Sequence, residues 1–173
     1  EPAAPPGDLG EFFHGSVPAP EILLAVTAFV TAGAGFLLAV LWFDLMFDVQ
    51  VARQREPAEA ALASIAGYYA RVTTAARPMS RVVAAVMVAT LAAIVAQIAG
   101  TDEPRWAAWT SLALAAVAIV LAATRTLPSA VRLGTRRDAT AVQGALARTI
   151  LREHLVCAAA IAALLVVQLA ASP

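Results

Sequence analysis

The sequence predicts an all-α integral membrane protein, four transmembrane helices in a bundle, and three observations carry that reading. Of 173 residues, 61% are hydrophobic and only 14% are charged, against about 45–50% and about 25% in soluble domains. Four stretches approach the roughly 20 apolar residues that a helix needs to cross a bilayer core. None shows the period-two alternation of a barrel strand, and hydrocarbon leaves the helix as the other way to satisfy every backbone group.

The spans run from Ile22 to Phe43, Val82 to Ile98, Trp106 to Ala123 and Leu155 to Ala170. The second and fourth are short, but each can borrow a turn from its flanks while arginines reach for the headgroups. Residues 1–20 hold five of the ten prolines and read as an extended tail, with one interfacial patch at Phe12–Phe13. The remainder, 21–173, is the transmembrane domain. Glu1 stands where a Met would begin a chain, so upstream sequence is expected to have been removed.

Arginine sets the orientation. Arg53, Arg55, Arg71, Arg77 and Arg81 lie in segment 44–81, and Arg125, Arg132, Arg136, Arg137, Arg148 and Arg152 in segment 124–154. Only Arg105 falls on the other side, in the short turn before the third span. The positive-inside rule then makes both segments cytoplasmic and both termini external. Trp42, Trp106 and Trp109 sit at span ends, where interfacial aromatics belong. All 12 basic residues are arginine, and there is neither Lys nor Asn. That bias follows GC-rich codons and points to a high-GC bacterium, hence to its inner membrane.

Both cytoplasmic segments read as helical. Leu62, Ile65, Tyr69 and Val72 recur at helical spacing behind Pro57, a residue suited to a first helical turn. The stripe is expected to lie on the membrane or against inward extensions of the spans. The third span continues past Arg125 towards Gly134 as a C-cap, and Asp138 opens the helix of the fourth.

Comparison of the two halves gives a register of 71 residues: Arg77 falls on Arg148, Arg81 on Arg152 and Gln97 on Gln168. One reading is a parallel repeat of two helical hairpins about a pseudo-two-fold axis. The other is chance matching in an alanine-rich chain.

Several groups could carry chemistry. Asp44 and Asp48 share a helix face one turn apart, and ionisable groups at that depth need partners. Arg81 and Arg152, with Arg77 and Arg125 at the same level, are the expected ones. Together they make either a belt of salt bridges or an ion or proton site. Glu153 and His154 are the candidate catalytic pair, and His154 shares a face with the single cysteine, Cys157. His14 is the only other histidine and lies across the membrane in this topology, so bis-histidine haem is excluded. No metal and no cofactor is implied. Gln97 and Gln168 are expected to hydrogen-bond between helices, and Gly33 and Gly35 to let a neighbour approach closely.

Disulfide scaffolds are excluded by the lone cysteine. Zero net charge and few aromatics argue against nucleic acid. Thr126-Leu127-Pro128 ahead of an arginine-capped span is loosely similar to small four-helix membrane proteins of the anthrone-oxygenase-like kind, over too little of the chain to carry any residue across. Three functions stay open. The first is a non-catalytic accessory or assembly subunit, whose partners are the lipid bilayer and other subunits. The second is a homodimeric ion-coupled transporter or channel using Asp44 and Asp48. The third is a membrane enzyme of small lipophilic substrates near His154.

Overall fold

A computed structural model describes residues 19–53, 56–75, 77–100 and 105–171. The proline-rich tail with Phe12, Phe13 and His14, Arg55 and the turn 101–104 lie outside the described residues. Six α-helices follow in order: α1 (Ala19–Asp48), α2 (Glu59–Ala70), α3 (Arg77–Gly100), α4 (Arg105–Leu121), α5 (Leu127–Gly134) and α6 (Thr140–Ala170). There is no strand among the described residues. Four helices are long and apolar enough to cross a membrane, the third formed by α4 running on through α5.

Each helix outruns its apolar stretch at the end where the arginines gather, here called the basic end. At 30 residues, α1 is about 45 Å long, half as long again as a bilayer core about 30 Å thick. The excess forms a second storey. In the first storey α1 packs on α3 and α6, and α4 packs on the same two, so the ring order is α1–α3–α4–α6. Val30, Ala34, Leu37, Ile94, Ala115, Ala118, Ile161 and Leu164 fill its centre. Trp42, Phe29, Val88, Val117, Val120 and Val166 point outward, as a lipid-facing surface requires.

In the second storey, α2 and α5 pack on each other and on the first half of α6. Their core is Leu62, Ile65, Ala66, Tyr69, Ala130, Leu133, Ala147 and Ile150. The α2 stripe therefore meets helices and not the membrane surface.

Two junctions differ from the expectation. Gly134 is the last residue of α5, but the left-handed residue that turns the chain is Arg136, at φ 54°. Gly134 serves contact: a Cβ there would come within 2.9 Å of the Ala70 backbone nitrogen. Asp138 does not cap α6, whose N-cap is Ala139. Its carboxylate instead takes two hydrogen bonds from Arg132, at 2.8 and 2.9 Å. A bidentate guanidinium pair outcompetes the weaker attraction of a helix start.

Two links between helices are π-helical turns, Arg71–Ala75 after α2 and Ala122–Thr126 between α4 and α5. Each joins a second-storey helix to a spanning one.

Candidate functional site

The two storeys meet at a buried cluster of ionisable side chains. Three elements supply it. The end of α1 brings Asp44 and Asp48, α2 brings Tyr68 and Tyr69, and α6 brings His154. Asp48 is completely buried. One of its oxygens accepts a 2.6 Å hydrogen bond from the Tyr69 hydroxyl, and the other lies 2.7 Å from His154 Nδ1. Asp44 accepts from the Tyr68 hydroxyl at 2.6 Å, and its second oxygen is 3.9 Å from His154 Nε2. The imidazole is thus held between two carboxylates, one on each ring nitrogen. Phe47 stacks on Tyr68 at a centroid distance of 4.1 Å and covers the cluster from the side.

Burial, and then the neighbouring carboxylates, push both phenols well above the usual tyrosine range. They act as neutral donors. A buried carboxylate needs such donors because the low dielectric makes an unpaired charge costly.

Glu153, the residue before His154, faces another way. Thr126 donates to its Oε2 at 3.0 Å, and Arg125 Nε lies 3.2 Å from Oε1. Consecutive α6 residues therefore hold different elements at the junction, because neighbours on a helix are about 100° apart. Cys157 lies one turn further along, buried in the first-storey core with its thiol 3.6 Å from the Ala118 carbonyl.

The aspartates do not pair with Arg81 or Arg152. Arg81 and Arg152 are exposed, and among the described residues neither forms an ion pair with Asp44 or Asp48. Arg152 is two residues from His154, hence about 200° around α6, and cannot share its face. Tyr68 and Tyr69 are the partners that sequence reasoning missed as site residues. The available signal was two adjacent phenols in a mostly apolar segment, each needing a hydrogen-bond partner if buried.

At the opposite end of the bundle lies a second, uncharged polar layer. Gln97 and Gln168 exchange two hydrogen bonds, both 3.1 Å. Gln97 also donates to Thr27 at 3.0 Å, and Gln168 to Ser111 at 2.9 Å. Each spanning helix gives one residue. The glutamines bridge α3 and α6, which stand diagonally across the ring, so the amides meet on its central axis. The two residues are equivalent in the 71-residue register, and each also bonds a hydroxyl of its own hairpin.

Of the two glycines, Gly33 abuts Thr90, whose hydroxyl occupies the space a Cβ would need. Gly35 does not share this role, since a Cβ there would meet nothing within 4 Å. The reason is again helical phase: two residues separate the positions. Among the described residues no group of three or more His, Cys, Asp or Glu side chains could hold a metal ion.

Four long apolar helices around internally satisfied polar layers define a multi-pass membrane protein. The family model described as "ER membrane protein SH3", that of the SHR3 chaperones, matches residues 21–171. The chain belongs to this family. No curated protein and no solved structure matches it.

Proposed function

We infer that this protein is an accessory or assembly factor for other membrane proteins, a membrane chaperone in the sense of its family's description. The observation that carries this reading is the family match across all four spans. Physical features agree with it. Long outward-facing rows of Val, Leu and Phe offer other spans a packing surface, and the polar side chains turn inward onto one another. An accessory factor needs surface more than chemistry.

Orientation and compartment belong to the same proposal. Eleven of twelve arginines at one end favour a cytoplasmic basic end with both termini outside. That rule holds for a bacterial inner membrane, to which the codon-biased composition points, and for the endoplasmic reticulum of the family's description.

Of the two other readings, only the transporter keeps a specific observation. The Asp44–His154–Asp48 sandwich has the chemistry of a proton site, as an ion-coupled homodimer would use. An enzyme would need substrate access to Glu153 and His154, both buried. The apolar groove of about 430 Å³ between α1 and α3 is lined by Phe29, Phe36, Val82 and Thr90 among others, and by neither of them.

Quantitative membrane proteomics of the source cell with and without the gene tests the proposal. The expected result is selective loss of a subset of multi-pass proteins, restored by the wild-type chain and by Asp44→Asn. An unchanged membrane proteome would overturn it. Loss of an ion flux in Asp44→Asn, with the proteome intact, would favour the transporter.

A further inference from the structure

We propose that α2 and α5 form one rigid cap, hinged to the spans at the two π turns and latched shut by Glu153 and His154 of α6. The hinges come from the backbone. π-Helical turns are rare, concentrate at functional sites, and interrupt the i→i−4 ladder so that bending collects there. Here they fall where each cap helix joins its span, at Arg71–Ala75 before α3 and at Ala122–Thr126, which overlaps only the last two residues of the third apolar run.

Rigidity of the cap comes from side chains. Ile65 of α2 and Leu133 of α5 are fully buried in one core. Gly134 brings α5 against the Ala70 backbone, and Arg136, just past α5, pairs with Glu59 at the start of α2. Both ties come from the C-terminal end of α5, and they meet α2 at its last residue and its first.

The latches sit beside the hinges. Thr126, which Glu153 holds, is the last residue of one π turn. Tyr69, which the Asp48–His154 pair holds, is the penultimate residue of α2, next to the other, and Thr73 inside that turn donates back to the Tyr69 carbonyl at 2.7 Å. Beneath the closed cap are Val51 and Ala147, Ile150 and Leu151 of α6. Opening bares that apolar face at the basic end of the spans. The device is independent of what the protein assembles with, so it stands or falls apart from the function proposed above.

Hydrogen exchange of the full chain in lipid nanodiscs tests it. Tyr69→Phe keeps the ring and its packing and removes only the hydroxyl, whose hydrogen-bond contacts are Asp48 and His154 and no residue of α5. Its amides in α2 and in α5 should both exchange about tenfold faster, the effect of one buried hydrogen bond, while residues 82–98 and 155–170 keep their protection. Faster exchange in α2 alone, no change in either helix, or a rise spread equally over the spans would overturn the proposal. Stapling gives the converse. Gln50 Nε2 and Ser64 Oγ are 3.3 Å apart, so Gln50→Cys and Ser64→Cys in a Cys157→Ala background can be bridged by a bismaleimide, tying α2 to the end of α1. The staple should slow exchange in α5 as well, and an α5 that ignores it would be fatal to the idea of one cap.

Discussion

The two buried polar layers of this protein solve one problem in opposite ways. The Thr27–Gln97–Ser111–Gln168 layer is uncharged, draws one residue from each span and closes on itself. The Asp44–Asp48–His154 layer is ionisable, recruits Tyr68 and Tyr69 from outside the spans, and joins two storeys. Amides and hydroxyls can be buried within hydrocarbon once each finds a partner. Carboxylates survive only at the end of the spans, where neutral phenols and an imidazole can converge on them. The first layer makes the bundle specific, and the second couples the bundle to its cap.

That contrast can be broken most severely at Asp48. Removing this fully buried carboxylate in Asp48→Ala strands His154 and the Tyr69 hydroxyl together. Loss of one partner of a buried pair typically costs about 3–5 kcal/mol, so thermal unfolding in nanodiscs should show a large fall in midpoint. Asp44→Ala should cost less, because Asp44 keeps some contact with solvent. Equal losses would mean that the cluster does not depend on burial in the way described.

Next come the glycine contacts. Gly134→Ala drives a methyl into backbone that cannot move aside, a clash in the range of about 1–3 kcal/mol. Gly33→Ala meets only the Thr90 side chain, and Thr90→Ala in the same molecule should restore most of the loss. Gly35→Ala should leave the midpoint unchanged. If Gly33→Ala is also neutral, the α1–α3 approach is looser than the structure has it.

The uncharged layer should be more forgiving. Gln97→Leu or Gln168→Leu singly is worth about 0.6–2 kcal/mol, and the double variant should cost less than the sum. Removing both amides leaves neither without its partner amide, although Thr27 and Ser111 each lose a donor. Additive losses in this cycle would mean that the two amides do not pair.

Alkaline pH reaches the other layer. Tyr68 and Tyr69 titrate above the ordinary phenol value of about 10. Their contribution to stability is therefore fully present below that value and is lost as pH rises towards the folded-state values. The unfolding midpoint should decline above about pH 10, and less so in the Tyr68→Phe/Tyr69→Phe protein. The same decline in both proteins would clear the tyrosines of any part in it.

Asp138→Asn closes the series. The Arg132 guanidinium holds the Asp138 carboxyl below its usual range, yet the pair is exposed. The shift in midpoint should be smaller than that of any buried-layer variant and disappear in high salt.

Much of the fold was legible because hydropathy and charge are properties of the chain itself. Four apolar runs had to be helices, and the segments around Leu62–Tyr69 and Leu127–Gly134 carried helical signals of their own. That Gln97 and Gln168 hydrogen-bond between helices was legible too, since an amide amid alanine and valine needs a partner; that they choose each other was not. The partners of Asp44 and Asp48 were not. Charge complementarity nominated Arg81 and Arg152, yet helix phase turned both outward, and the partners came instead from Tyr68 and Tyr69, more than 20 residues away. Glu153 and His154 looked like a pair because they are adjacent in sequence; on a helix adjacency separates them, and they hold different elements.

By itself, the sequence determined that this protein spans a membrane four times, with arginine gathered at one end, because solvation acts on each segment independently of the others. The tertiary structure alone decided that the helices outrun the bilayer into a second storey, that π turns mark the boundary, and that a histidine sits between two aspartates under two phenols. Those features depend on the rotational phase and tilt of helices packed against one another. Helix phase at a contact is set by the whole bundle, and no local stretch of sequence contains it.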